Sequence, residues 1–371
     1  MRFLDEFRDP ALARKLVERI KSSSTRRVRL MEFCGSHTHA IFKNGIRQLL
    51  PPTIELLSGP GCPVCVTSNA DLDRAIALSR TPGVVLATFG DMLKVPGSYS
   101  SLQEARAQGA DVRVVYSTTD ALEMARTDSG RPVVFLGAGF ETTAPTVAAS
   151  VLQAEEEGLR NYYVLSLHKL TPPVMAALLR AGEVKLDGVI APGHVSAVVG
   201  WKAWGFLPQE FNMACVVAGF EPLDILLAIE RLVEQLETGR ITVESAYSRG
   251  VRPEGNQEAL RLMYRVFEVA PATWRGVGEV AASGLRFRRG YRRFDAEAAF
   301  PVSVPAAREN PACLCGEVLR GVKTPSDCTL FGHACTPDHP VGPCMVSGEG
   351  SCSAYYLYGG ADARQSAPGP R

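Results

Sequence analysis

The strongest constraint on the fold is a rhythm of eight short apolar runs, at residues 28–33, 54–57, 84–88, 112–116, 133–136, 162–167, 188–190 and 215–218. Each stops at glycine, proline or a small polar residue and gives way to helical pattern. Strands that alternate with helices of about 10 to 15 residues pair in parallel through helical crossovers, so the pattern predicts an α/β fold with largely parallel sheets. Ligands of such sheets sit at the carboxyl ends of the strands, where the glycine-containing loops fall.

The order of features occurs twice. MEFCGSHTHAIF, LLSGPGCPVCVT and VVLATFGD are followed later by VFLGAGFETTAPTVA, VIAPGHVSAVVG and CVVAGFEP. Each set is strand, loop and helix, then strand, PG loop and helix, then a strand ending in Phe and an acid. This predicts two similar parallel-sheet α/β domains, at 28–120 and 121–240, facing a cleft lined by Cys34, Cys62, Cys65, Glu141, Thr142, Thr143 and His194. An N-terminal helical segment (1–27) precedes them, with its helix at 10–22 and Leu12, Leu16, Val17 and Ile20 on one face. Residues 241–371 form a helical and cysteine-rich domain. Long helices are expected at 221–237, with Pro222 near its start and Gly239 past its end, and at 257–269. The tail SAPGPR is expected to be disordered.

With 46% hydrophobic and 21% charged residues among 371, the chain is globular in composition, which excludes disorder and coiled coil. A net charge of +1 gives no global field that favours nucleic acid. One basic cluster, LRFRRGYRRFDAE, holds Arg286, Arg288, Arg289, Arg292 and Arg293 without an RNA-binding signature, and reads as a solvated or partner-facing segment. The first 25 residues are charged throughout, and no stretch of about 18 apolar residues occurs, so a soluble cytoplasmic protein with no membrane partner is expected.

Ten cysteines in a reducing compartment divide among packed thiols, metal ligands and redox thiols. Cys215, alone in MACVVAGF, is expected to pack. Cys62 and Cys65 in GPGCPVC stand on a first helical turn, where the helix dipole lowers a thiol pKa, as in a redox dithiol. With Cys34 and His37 they also make C-x2-H-x24-C-x2-C, a structural zinc spacing. His37 and His39 fall in a strand-to-helix loop. Glu141, Thr142 and Thr143 in GFETTAP fall at a helix start, where capping alone would explain the threonines. His194 in PGHVS occupies the matching place in the second set. No G-x-x-x-x-G-K-[ST] occurs, and GAGFETT is not a dinucleotide fingerprint.

Near the end, Cys313 and Cys315 are followed by Cys328, Cys335, Cys344 and Cys352 at irregular gaps of twelve, six, eight and seven residues. The paired CxxC of zinc ribbons is absent, and single cysteines fit an iron-sulfur cluster on four thiolates better. Cys328, Cys335, Cys344 and Cys352 are the expected four. Cys313 and Cys315 are left as a nearby pair or alternative ligands. This Gly- and Pro-rich region is expected to need a metal or cluster to hold it.

Taken together, CGSHTHAIFKNGIRQLLP, SGPGCPVCVT, GFETTAP, APGHVSAVVG and CLCGEVLRGVKTPSDCTLFGHACTP through GPCMVSGEGSCSAYY resemble the HypD family of NiFe-hydrogenase maturation factors over nearly the whole chain. The resemblance implies a scaffold that pairs with a small HypC-type chaperone. On it the Fe(CN)2CO unit is assembled for the hydrogenase large subunit, with cyanide from a HypE-type partner carrying a thiocyanate. It implies that Cys34 holds the iron together with a cysteine of the chaperone. Cys62 and Cys65 would be the redox dithiol and the C-terminal cysteines the ligands of a 4Fe-4S cluster, with His37, Glu141 and His194 as further candidate catalytic residues. Two other readings use the same cysteines: a thiol-reducing enzyme of the ferredoxin-thioredoxin reductase type, and a zinc-held scaffold without redox chemistry.

Overall fold

The computed structural model describes residues 5–359. All eight apolar runs form strands: β1 (Val28–Glu32), β2 (Ile54–Ser58), β3 (Val85–Thr88), β4 (Asp111–Val114), β5 (Val133–Gly137), β6 (Tyr162–Ser166), β7 (Gly188–Pro192) and β8 (Ala214–Ala218). A short β9 (Val243–Ser245) joins them. They build two parallel sheets, ordered β2-β1-β7-β8-β9 and β4-β3-β5-β6. β5 and β8 are buried at every position, the condition under which a parallel strand reads as an unbroken apolar run. Cys215 is fully buried in β8, as expected of a packing thiol.

The sheets divide the chain differently from the expected units at 28–120 and 121–240. β1 and β2 pair with β7 and β8, whereas β3 and β4 pair with β5 and β6. The two halves of the sequence repeat are thus shared between sheets: β1 lies beside β7 through Leu30, Met31 and Glu32. Hydrogen-bond pairing follows spatial neighbours, and the loop motifs alone did not reveal them.

The helix Pro10–Ser23 starts on an Asp9 cap and buries Leu16, Val17 and Ile20, but Leu12, expected on the same face, is exposed. It packs on the helix Pro222–Thr238, which opens with a capping box of Glu221 and Asp224 and ends on Gly239 at φ 71°, a left-handed position suited to glycine. The helix at 257–269 is shorter than expected. It runs Gln257–Val266, and at Phe267 the chain turns into a strand, β10 (Phe267–Trp274), that pairs antiparallel with β11 (Gly278–Phe287). The five arginines of the basic cluster, at the end of β11 and just after it, are exposed.

The C-terminal region has only short elements, among them the helices Cys315–Leu319 and Ser351–Tyr358. The second docks on the helix Gly35–Lys43: Tyr355 lies 4.4 Å from Phe42, ring to ring, and its hydroxyl accepts from Arg47 at 3.2 Å. Among the described residues, no helix is long and apolar enough to cross a membrane. The tail SAPGPR lies outside the described residues.

Candidate functional site

β1 and β2 run side by side in register, Glu32 opposite Ser58, so the loops that leave them meet. Two glycines let them touch. Gly35 N–H donates to the Gly61 carbonyl at 3.0 Å, and a Cβ on Gly61 would stand 2.2 Å from the backbone nitrogen of Cys34. Cys34 is the N-cap of the helix Gly35–Lys43, so His37 and His39 stand in a helix rather than in the expected loop. Cys62 is likewise the N-cap of the helix Pro63–Val66 and is paired with Cys65 as a disulfide, with Cα atoms 5.3 Å apart.

Cys34 is buried, and burial pushes its thiol up to about 12, with the nearby carboxylates of Glu349 and Glu32 adding to the rise. The N–H groups of His37 and Ser36, at the helix start, oppose it. Glu32 is itself buried. It accepts from Cys34 N–H at 2.8 Å and from the Thr38 hydroxyl, and burial raises its carboxyl to about 7. Glu141 is held the same way, accepting from Thr171 N–H at 2.8 Å and its hydroxyl at 3.0 Å, with burial again raising it to about 7. His37 Nε2 is bonded to the Gly219 carbonyl at 2.9 Å, and burial lowers its pKa to about 4.

A cavity of about 1130 Å³ opens above these residues, between the carboxyl ends of both sheets. Ser36, Pro63, His194 and Phe220 line it from the first sheet, Tyr116 and Thr143 from the second, and Glu349 from the C-terminal region. Of the expected lining, Thr143 and His194 face the cavity. Cys34, Cys62, Cys65 and Glu141 are buried, and neither they nor Thr142 are part of the lining. The helix Ala144–Glu156 starts after Thr143 without a side-chain cap: the Thr143 hydroxyl donates instead to the Phe140 carbonyl.

The six C-terminal sulfurs gather beside this site. Cys315 and Cys344 lie 2.7 Å apart, and Cys344 also bonds to Cys352. Cys352, Cys328 and Cys335 neighbour one another in a shell that includes Phe331 and Met345. Burial pushes Cys313 up to about 12, with Cys315, Cys352 and Cys328 close by. Cys315 is pulled below the ordinary thiol value by its bond to Cys344, with help from Arg275, while Cys344 is pushed up. Cys65 Sγ lies 3.9 Å from the Pro343 carbonyl oxygen, next to Cys344, and the Cys62–Cys65 pair shares one apolar cluster with Cys315 and Cys344. Among the described residues, no three His, Cys, Asp or Glu side chains stand ready to hold a metal ion.

The HypD family model, described as "Hydrogenase formation hypA family", matches residues 11–359. The chain is 50% identical to a hydrogenase maturation factor HypD of Azotobacter vinelandii over 368 residues, 97% of each chain. The chain belongs to the HypD family. Further members include the HypD of Rhizobium leguminosarum bv. viciae, 47% identical over 97% of this chain and 96% of its own, and that of Escherichia coli (strain K12), 43% identical over 96% and 98%. The chain is thus a relative of hydrogenase maturation factors over nearly its whole length. Within this HypD family member, sequence reasoning missed Glu32, Glu349 and Phe220. Glu32 stands in a strand and Glu349 in the C-terminal loop, and only folding brings them to Cys34. The acid repeated after each Phe was the one legible signal near Phe220.

Proposed function

We propose that this chain is the cytoplasmic scaffold on which the Fe(CN)2CO unit of NiFe hydrogenases is assembled, with a HypC-type chaperone, before transfer toward the hydrogenase large subunit. The observation that carries the reading is the placement of Cys34 and the Cys62–Cys65 pair at adjoining strand ends under one cavity. Iron is the substrate here. A single buried thiol leaves most iron positions free for cyanide and carbon monoxide, and a soft thiolate suits iron bound to such ligands. The high thiol pKa of Cys34 means that iron takes the place of a proton, and Glu32 and Glu349 favour a cation beside the sulfur.

Cyanide reaches the cavity as the thiocyanate of a HypE-type partner. Release of cyanide from R–S–C≡N needs two electrons, which the dithiol of Cys62 and Cys65 can supply. One thiolate attacks the thiocyanate sulfur and displaces cyanide, and the other closes the Cys62–Cys65 disulfide and frees the partner's thiol. The balance is one thiocyanate and two thiols giving one thiol, hydrogen cyanide and one disulfide.

The donor set of the C-terminal region, six thiols of which Cys315, Cys328, Cys335 and Cys344 are buried, fits a 4Fe-4S cluster. Cys328, Cys335 and Cys352, which neighbour one another, would be three of its ligands. Cys344, the fourth of the expected set, lies 2.7 Å from Cys315, whose thiol pKa that bond lowers, so Cys315 is an alternative fourth ligand. When bound, such a cluster supplies electrons one at a time. Cys344 follows Pro343, whose carbonyl oxygen lies 3.9 Å from Cys65 Sγ, so the residues that would hold the cluster adjoin the Cys62–Cys65 pair.

The test is the complex purified without oxygen. About four irons per chain, absorbance near about 400 nm, and carbonyl and nitrile infrared bands are expected. A Cys62→Ser, Cys65→Ser double variant should lose the nitrile bands; if it accumulates them, the dithiol step is wrong. Colourless protein containing zinc would overturn the cluster.

A further inference from the structure

Phe220, in the loop after β8, lies between two imidazoles. Its ring centroid is 3.8 Å from that of His194, with the planes 21° apart, and 4.8 Å from that of His37 at 26°. Tyr247 meets it edge-on at 6.1 Å. The three stacked rings follow β1, β7 and β8, which are consecutive neighbours in the sheet, and the ring that follows β8 stands between those that follow β1 and β7.

The two histidines differ in what holds them. His37 is fully buried and tied through Nε2 to Gly219. His194 faces the cavity, and among the described residues neither of its ring nitrogens has a hydrogen-bond partner. With one ring face against Phe220, His194 remains exposed at the cavity. A flat ring fixed only by stacking keeps its plane as long as the stack is intact, at a strength of about 0.5–1.5 kcal/mol for such pairs. The charged and titratable groups that act on the pair are few. Glu349, across the cavity, favours the charged imidazole; burial and the neighbouring His37 work against charge on this face, and the net effect leaves His194 below its ordinary value. A neutral imidazole carries one N–H donor.

The substrates proposed for this cavity share one chemical feature, a nitrile nitrogen, whether in a thiocyanate or in iron-bound cyanide. Such a nitrogen accepts a hydrogen bond along the C≡N axis, and two of the hydroxyls on the cavity wall are engaged already: Ser36 donates to Glu349 and Thr143 to Phe140. We propose that Phe220 is a positioning residue, which holds the His194 imidazole so that its N–H is presented to the nitrile nitrogen of the substrate. This deepens the assembly reading and rests on it for the identity of the substrate, whereas the stack itself does not.

The experiment has two arms. In the isolated protein, nitrogen-15 NMR follows His194 in the parent, Phe220→Leu and Phe220→Tyr. Removing the ring should admit water and raise the His194 titration midpoint, with Phe220→Tyr restoring the parent value; an unchanged midpoint in Phe220→Leu overturns the positioning role. In the second arm, potassium thiocyanate added to the isolated protein and cyanide bands of the iron-loaded complex are read by infrared. His194→Phe, which keeps a stacked ring and removes the donor, should shift the nitrile band from its parental position, and Phe220→Leu should shift it the same way. A shift with thiocyanate alone assigns the donor to the incoming thiocyanate, and one seen only in the complex assigns it to iron-bound cyanide. No shift in either overturns the proposal. If the parent complex lacks cyanide bands, the assembly reading fails, and the thiocyanate and NMR arms still decide the role of Phe220. Should Phe220→Leu not fold, Phe220→Tyr and His194→Phe carry the comparison.

Discussion

Glu32 and Glu141 are buried carboxyls raised from 4.5 to about 7, and the sign of their effect on stability is set by that rise. The folded state binds their protons more tightly than the unfolded chain. Their contribution is full below about pH 4.5 and is lost as pH climbs through about 7, amounting to about 3 kcal/mol for each group. Glu32→Gln keeps an acceptor for Cys34 N–H and cannot ionise. Urea unfolding at about pH 5 and about pH 8 should therefore show a smaller loss of stability in the variant than in the parent; equal losses would mean that Glu32 is charged in the folded protein. Gly61→Ala tests the contact that brings the two cysteine loops together. Its Cβ would meet backbone, which cannot rotate away, so about 1–3 kcal/mol of stability should be lost, as a lowered melting temperature. The cysteines and Cys62–Cys65 spacing were legible because their chemistry is written locally. Glu32 was not, since a polar residue in a strand reads as its exposed face until the fold buries it.

Among the elements, the helix Pro222–Thr238 has its start fixed by one carboxylate with two duties. Asp224 accepts from Glu221 N–H in the capping box and holds both terminal nitrogens of Arg249 at 2.6 Å, with its own side chain fully buried. Arg249 in turn covers the Phe7 ring at 3.6 Å. Asp224→Ala would uncap the helix and leave Arg249 without its partner, so a loss of about 3–5 kcal/mol is expected, read from the denaturant midpoint. A loss under about 1 kcal/mol would show that water serves Arg249 equally well. Because the helix begins two residues after Phe220, the same variant should disturb the aromatic stack. The eight parallel strands were legible from their apolar runs, which burial on both faces demands. The hairpin β10–β11 was not: β10 is buried only at its two ends, the strands carry Gly, Ser and Pro, and the register shifts between Ala270 and Ala272, so period-two alternation is diluted.

At the scale of the molecule, the boundary expected at residue 120 fails because β1 pairs with β7, a neighbour in space from a distant part of the chain. The C-terminal region makes a second long-range tie. Glu349 packs on Gly35 and accepts from Ser36 at 2.5 Å, the Gly348 carbonyl meets His39 at 3.2 Å, and Tyr355 sits on Phe42 and Arg47. The segment that carries Cys344 and Cys352 thus forms part of the wall over Cys34. Its backbone is short of regular structure, so the thiols that gather there decide how firmly that wall stands. On the proposed reading that these thiols hold an iron cluster, iron removal by a chelator under reducing conditions should raise amide exchange in two places at once, residues 343–359 and the helix Gly35–Lys43, while β3 to β6 stay protected. Exchange that rises only near the cysteines would show that the helix keeps its place without the cluster. Exchange that rises through both sheets would make the cluster a support of the whole fold rather than of the cavity wall.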